Sequence, residues 1–353
     1  MTFGPGEQVW SRFGHNALWV RDAEGDTGAL YNFGYFDTGE DNFYWNYARG
    51  RMQYRAVAES PRPAFEYYSR VGRAIRVQHL SVSPDAAREL ARELRLIVTS
   101  ERRRYAYDYF DNNCSTRVRD LLDRTLDGAL LARFGETPSG HSLRWHALRM
   151  VQDDWLLYLG IHLALGRPVD RPISRWEAMF IPGYMARQLA GRDYVTRDRV
   201  VADGKAAPRR YSPRYATLAA IGLAGLLLIG GAGGLGRGFL AGLPARLWLL
   251  VSGLGGCLLA FFWLGSAHEV TALNENLLFL LPTNLLLLGG LPPRPRRYLV
   301  VVSALALAIG LGLKLTPGSQ FNHDLLLALA PLQAAALLVV AAPGFARRRW
   351  PAV

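Results

Sequence analysis

Residues 110–118 read FDNNCSTRV, and the organisation of the N-terminal half follows from how this stretch is read. Asp111, Asn112 and Asn113 form a concentrated N-cap signal, because short polar side chains accept hydrogen bonds from the free N–H groups of a first helical turn. Val118, Leu121 and Leu122 then recur at helical spacing. Cys114 is therefore expected in the first turn of a helix. The macrodipole and free N–H groups there favour an anion, so the expected thiol pKa is lowered and the sulfur is suited to nucleophilic attack. The same N–H groups could hold an oxyanion. A free cysteine is often a buried, inert filler, but the neighbours Asn112, Asn113, Ser115 and Thr116 argue against an apolar pocket.

A thiol nucleophile needs a base, and the chain has seven histidines. His268 and His323 lie between apolar spans. His79, His141, His146 and His162 have no evident catalytic setting. His141 and His146 are five apart, which does not put both on one helix face, and no Cys/His pair has zinc-site spacing, so no metal is expected. His15 differs. It follows Arg12-Phe13-Gly14 near the start of the strand FGHNALWV (13–20), where glycine permits close backbone approach. Period two puts His15, Ala17 and Trp19 on one face and Asn16, Leu18 and Val20 on the other. EGDTG (24–28) and ALYNFGYF (29–36) complete an expected hairpin. RMQYRAVAE (51–59) and AIRVQHLSV (74–82) read as further strands. Ser83-Pro84 opens an amphipathic helix expected to run to 104.

The chain has 353 residues and a net charge of +12, but hydrophobicity divides it more clearly than charge does. Residues 1–200 read as a soluble domain, 201–214 as a basic linker, 215–345 as a membrane domain and 346–353 as a basic tail. Five spans are expected near 215–236, 247–264, 277–290, 298–313 and 325–342, the third being short for a straight crossing. Arg237, Arg246, Arg294, Arg296, Arg297, Arg347, Arg348 and Arg349 fall on one side, against Lys314 alone on the other. The positive-inside rule makes the arginine side cytoplasmic and the N-terminal domain exported. MTFGPGEQVWSRFGHNALWV has neither a charged n-region nor an apolar h-region, so the true start is expected to lie elsewhere. No Lys/Arg face is interleaved with stacking aromatics, so nucleic acid is not an expected partner. Of the two cysteines, Cys257 lies inside an apolar span, and a disulfide framework is excluded.

GPGEQVWSRFGHNALWVRD, LYNFGYFD, NFYWNYARGRMQY and YDYFDNNCSTRVRDLLD, with GRPVDRPISRWEAMFIPGYM further on, resemble the Lnb N-terminal periplasmic domain family, which includes a bacterial lipoprotein acyltransferase. The order of a strand histidine before a helix-start cysteine is also similar to permuted papain-like (NlpC/P60-like) thiol enzymes. The resemblance implies an α+β, permuted papain-like soluble domain followed by an all-α polytopic membrane domain, with no cofactor. It makes Cys114 the nucleophile, His15 the base and Asn32 the third polar residue, with Asn113 or Tyr107 assisting an oxyanion. The implied activity is transfer of an acyl chain within a lipid-modified protein, at the bacterial inner membrane with the N-terminal domain on its outer side. His268, Glu269, Asn274, Asn276, Gln320 and Asn322, in loops on that side, would form a polar floor facing a lipoprotein or phospholipid substrate. A cell-wall cysteine peptidase or amidase, and a non-catalytic membrane module, stand as alternatives.

The charge asymmetry makes a direct prediction. In a Cys257→Ser background, His268→Cys reacts with a membrane-impermeant thiol reagent applied from outside, whereas Arg294→Cys reacts only after the membrane is opened. The reverse pattern would invert the topology.

Overall fold

The computed structural model describes residues 1–21, 28–235, 240–289 and 291–342; the turn at 24–27, Arg237 and the tail with Arg347, Arg348 and Arg349 lie outside the described residues. The chain forms an α+β domain followed by a helical membrane domain, as expected. It divides into two compact units, Met1–Tyr158 with Pro172–Tyr211, and Leu159–Arg171 with the residues from Ser212 onward.

The first unit is built on strands β1 (Thr2–Phe3), β2 (His15–Arg21), β3 (Gly28–Tyr35), β4 (Gln53–Glu59), β5 (Ile75–Leu80) and β6 (Arg104–Ala106). A small two-stranded sheet of β7 (Pro138–Ser142) and β8 (Pro172–Ser174) stands apart, and β9 (Val195–Ala202) closes the series. The main sheet runs β6-β4-β3-β2-β1-β5-β9 with antiparallel neighbours. Alternation along each strand covers both faces. Phe3, Ala17, Leu30 and Ile75 pack with Ala64, Phe65 and Tyr68 of the helix Pro61–Arg70. Leu18, Tyr31 and Phe33 point the other way, onto Leu90 and Leu94 of the helix Pro84–Thr99 and Val118, Leu121 and Leu122 of the helix Cys114–Thr125.

The expected hairpin is present, with Ala17 opposite Asn32. The helix expected to reach 104 stops at Thr99. A 3-10 turn, Glu101–Arg103, follows, and Arg104 to Ala106 extend to pair with β4, Gln53 opposite Ala106. Sheet pairing takes residues that the helical pattern alone would have kept.

The second unit has α-helices Tyr215–Leu235, Leu243–Leu264, Pro293–Leu313 and His323–Ala341. The remaining span, Glu269–Leu288, is also long and apolar enough to cross a membrane, but it consists of 3-10 stretches, Glu269–Thr271, Glu275–Leu278 and Pro282–Leu288. Proline has no N–H to continue a helix, and broken backbone in a membrane needs protein around it. Glycines on Leu243–Leu264 let it approach: a Cβ on Gly256 would stand 2.0 Å from the Leu280 carbonyl oxygen. Asn284 donates to Ser252 Oγ at 2.9 Å, and Trp248 Nε1 donates to Gln333 Oε1 at 2.9 Å.

The segment 159–171 joins this unit by satisfying its own backbone. The last carbonyls of a helix have no partner within it. For the helix Trp155–Ala164, Asn274 Nδ2 donates to the Leu163 and Ala164 oxygens at 2.7 and 3.1 Å, and Asn276 Nδ2 donates to Leu163 at 3.1 Å. Gln320 Nε2 donates to the Leu165 oxygen at 3.0 Å. His162 and Asp324, both fully buried, meet at 2.8 Å.

Gly256→Val should lower the stability of the detergent-solubilised protein by about 1–3 kcal/mol, the usual cost of overpacking. Gly230→Val, where a Cβ meets nothing, should leave the melting temperature nearly unchanged. Equal melting of the two variants would remove the close-approach argument.

Candidate active site

The start of the Cys114 helix is held by reciprocal hydrogen bonds. Asn113 Oδ1 accepts from the backbone N–H of Ser115 at 2.7 Å and Thr116 at 2.9 Å, while Thr116 Oγ1 accepts from the Asn113 N–H at 2.8 Å. This is the capping box, at the position the polar cluster indicated. Asn113 Nδ2 donates to the Tyr109 and Phe180 oxygens at 2.7 and 3.0 Å. Both lone pairs and both N–H groups of the amide are thus engaged, which leaves Asn113 as a cap with no donor free for an oxyanion.

A second set of bonds fixes the helix to β2. Asn16 Nδ2 donates to Ser115 Oγ at 2.9 Å, and Ser115 Oγ donates to the Met179 oxygen at 2.6 Å. The backbone N–H groups of Asn16, Cys114 and Ser115 lie close enough to the Cys114 sulfur to favour its anion, although the Ser115 N–H also donates to Asn113 Oδ1. On its other side, a Cβ on Gly34 would stand 3.7 Å from Cys114 Cβ and 3.4 Å from the Tyr107 ring, and Gly34 has φ +91°. The spacing would admit a Cβ in ordinary contact, so it is the left-handed φ that favours glycine there. Tyr107 packs against Tyr54 at 4.3 Å and Tyr109 at 5.5 Å between ring centroids. Burial, followed by the nearby Cys114, pushes its hydroxyl well above the ordinary tyrosine value, so it stays protonated and can donate.

His15, next to Asn16, opens β2. Its Nε2 lies 2.8 Å from Asn32 Oδ1, and Asn32 Nδ2 donates to Glu59 Oε1 at 2.8 Å. An amide oxygen only accepts, so Nε2 carries the hydrogen and Nδ1 keeps its lone pair for a proton. Glu59 escaped the sequence reading. It ends β4, and only the pairing of Leu30 with Glu59 brings it to Asn32; nothing in the spacing along the chain signals it.

The electrostatics correct one expectation. The helix start was expected to depress the thiol pKa, and the three N–H groups and Arg73 do act in that direction. Burial is the larger effect and pushes the Cys114 thiol up, because a desolvated sulfur resists charge. Burial likewise holds His15 down at about 4, against its hydrogen bond to Asn32 and with the charge of Arg73. At neutral pH the resting pair is a neutral thiol and a neutral imidazole rather than an ion pair.

Of the six loop residues in the membrane unit, Asn274, Asn276, Gln320 and Asn322 are buried. Three of these amides hold the 163–165 carbonyls, and Asn322 Nδ2 donates to Asn276 Oδ1 at 2.6 Å. Glu269 is exposed and His268 partly so. Among the described residues, no cluster of His, Cys, Asp and Glu could hold a metal ion.

The Lnb N-terminal periplasmic domain family matches residues 1–149, and the Lnb transmembrane domain family matches residues 241–342. No curated protein and no solved structure matches the chain.

In a Cys257→Ser background, alkylation of Cys114 by iodoacetamide should be slow at pH 7. Its rate should rise with a midpoint above about 8.5, the value of an unperturbed thiol, while a denatured control titrates near that value. A native midpoint below the control would mean that the helix start outweighs burial.

Proposed function

The chain belongs to the Lnb family, and from that premise we propose that it is a thiol acyltransferase moving a fatty acyl chain from the diacylglyceryl group of a lipoprotein to that lipoprotein's N-terminal amine. It is a polytopic membrane protein with a periplasmic N-terminal domain, and in this reading the membrane is the bacterial inner one. The observation that carries the proposal is the Cys114 sulfur, set among three backbone N–H groups beside the start of β2, where His15 is oriented through Asn32.

As the sulfur attacks the ester carbonyl, His15 Nδ1 takes the thiol proton, and the carbonyl π electrons move to oxygen. The backbone N–H groups at Cys114, with the Tyr107 hydroxyl, stabilise that oxyanion. On collapse the ester C–O bond breaks, and the glyceryl oxygen leaves with the proton from the imidazolium, giving a thioester and a lyso-glyceryl group. The free N-terminal amine then attacks the thioester. The C–S bond breaks, the amine proton passes to His15, and His15 returns it to sulfur. Asn32 holds the Nε2–H throughout, and Glu59 holds Asn32. In this reading the loop residues His268 and Glu269 face substrate.

Five apolar spans favour a lipid substrate over a cell-wall peptide, since one helix suffices to anchor a peptidase. A diacylated lipopeptide, followed by mass spectrometry, tests the reading. Cys114→Ser should abolish N-acylation, and His15→Ala should slow it about 10²-fold or more, as for loss of a general base. Asn32→Ala and Glu59→Gln should cost progressively less, because they orient rather than transfer. Full turnover by Cys114→Ser would end the covalent mechanism, and cleavage of peptidoglycan fragments with no acylation would put the peptidase first.

A further inference from the structure

Arg73 is a buried cation, and among the described residues no carboxylate supplies it with a counter-charge. The residue is 7% exposed. Its Nε donates to the Gly4 oxygen at 2.7 Å, and its guanidinium carbon lies 4.6 Å over the Tyr68 ring. Its Nη2 is buried without a hydrogen-bond partner, and among the described residues no carboxylate forms an ion pair with it. A charge taken out of water normally requires an opposite charge or full hydrogen bonding. Lysine could escape the difficulty by losing its proton, but a guanidinium holds its proton far too tightly.

The sheet brings this cation to the reacting pair. Phe3 of β1 pairs with His15 of β2 on one side and with Ile75 of β5 on the other, and Gly4 N–H donates to the Ala74 oxygen at 2.8 Å. Arg73, two residues before Ile75, therefore lies at the same end of the sheet as His15. The Tyr68 ring beneath it stacks on Phe3 at 3.8 Å, and Phe3 stacks on His15 at 5.9 Å. The groups within electrostatic reach of Arg73 include Tyr67, Tyr68, Cys114 and His15.

We infer that Arg73 is the standing counter-charge for the anion that forms at Cys114, first as thiolate and then as the oxyanion of the tetrahedral intermediate. The titratable groups that interact with the sulfur are Tyr68 from the helix Pro61–Arg70, Tyr105 and Tyr107 from β6 and the turn after it, and Arg73 itself, while His15 opens β2 next to Asn16, whose backbone N–H lies near the sulfur. Burial keeps the three tyrosines protonated, Tyr68 being pushed up to about 12. Of these groups, Cys114 is the one whose proton the proposed reaction removes. The proton goes to His15, whose cationic form Arg73 opposes. The imidazolium is thereby made a better acid for returning the proton to the leaving oxygen. Because Nη2 is closed to solvent, Arg73 acts through its field and not by binding a diffusible anion.

The inference rests on Cys114 being the nucleophile, but its test needs no acyl donor, so the two can fail separately. The pH profile of iodoacetamide alkylation is measured on the full chain in detergent, in the Cys257→Ser background. Arg73→Gln keeps an amide donor for the Gly4 oxygen and loses the charge. It should raise the alkylation midpoint by about one pH unit or more, a tenfold fall in thiolate at a given pH. Arg73→Lys, with its charge on a shorter stem, should give a midpoint between the parent and the glutamine variant. A purely structural role for Arg73 predicts that both variants melt early with the parent's midpoint, and that outcome overturns the inference. If Arg73→Gln does not fold, Arg73→Met, which keeps a long stem and removes the charge, decides in its place: a midpoint equal to the parent's overturns the inference, and an upward shift supports it.

Discussion

The buried hydrogen bond from Asn16 to Ser115, 2.9 Å long, joins the second residue of a strand to the second residue of a helix 99 positions later. Neither partner can be reached by water, so breaking the bond would leave unsatisfied polar groups in the core. With Ser115 further tied to Met179, the helix start cannot slide along the sheet. The Cys114 sulfur therefore sits at the backbone of Asn16, and His15 follows as the neighbouring residue. The cap formed by Asn113 fixes the helix from its other side, which accounts for the amount of polar chemistry concentrated in a stretch that carries only one nucleophile.

The same rigidity has an electrostatic consequence. Packing a half-buried thiol against Tyr107, Gly34 and the strand backbone reduces its access to water, and the loss of solvation outweighs the helix start. An enzyme that exposes a stable thiolate risks oxidation and indiscriminate alkylation. A neutral thiol beside a neutral imidazole becomes nucleophilic only as its proton moves to the base. In that arrangement a fixed positive charge near the sulfur contributes most when negative charge develops, which is where catalysis gains from it.

The membrane unit follows the same rule of complete satisfaction. The amides of Asn274, Asn276 and Gln320 complete the end of a helix whose first residues belong to the other unit. Where the backbone of 269–288 departs from an α-helix, Gly253 and Gly256 allow the neighbouring helix to come close, and Asn284 finds Ser252. Polar residues in an apolar sequence thus mark positions where backbone or side chains must be satisfied internally.

By itself the sequence determined the features that depend on neighbours along the chain. The Asn113 cap and the Cys114 helix are local, because capping and helical periodicity operate within a few residues. The β2–β3 hairpin is local for the same reason, as are the apolar spans, whose length and composition alone suffice. His15 stood out at the start of its strand, and Asn32 entered through the family resemblance; the hairpin pairing of Ala17 with Asn32 is what puts the two on one face. Tertiary structure decided everything that needed a partner far away. Glu59 reaches Asn32 only through the register of β4, and Arg73 nears Cys114 only because β1 lies between β2 and β5. The 159–171 segment joins the membrane unit only because residues more than a hundred positions later complete its carbonyls. The sign of the Cys114 shift was decided there too. A helix start is a local field that sequence reveals, whereas desolvation sums every atom packed around the sulfur, and no stretch of sequence contains that sum.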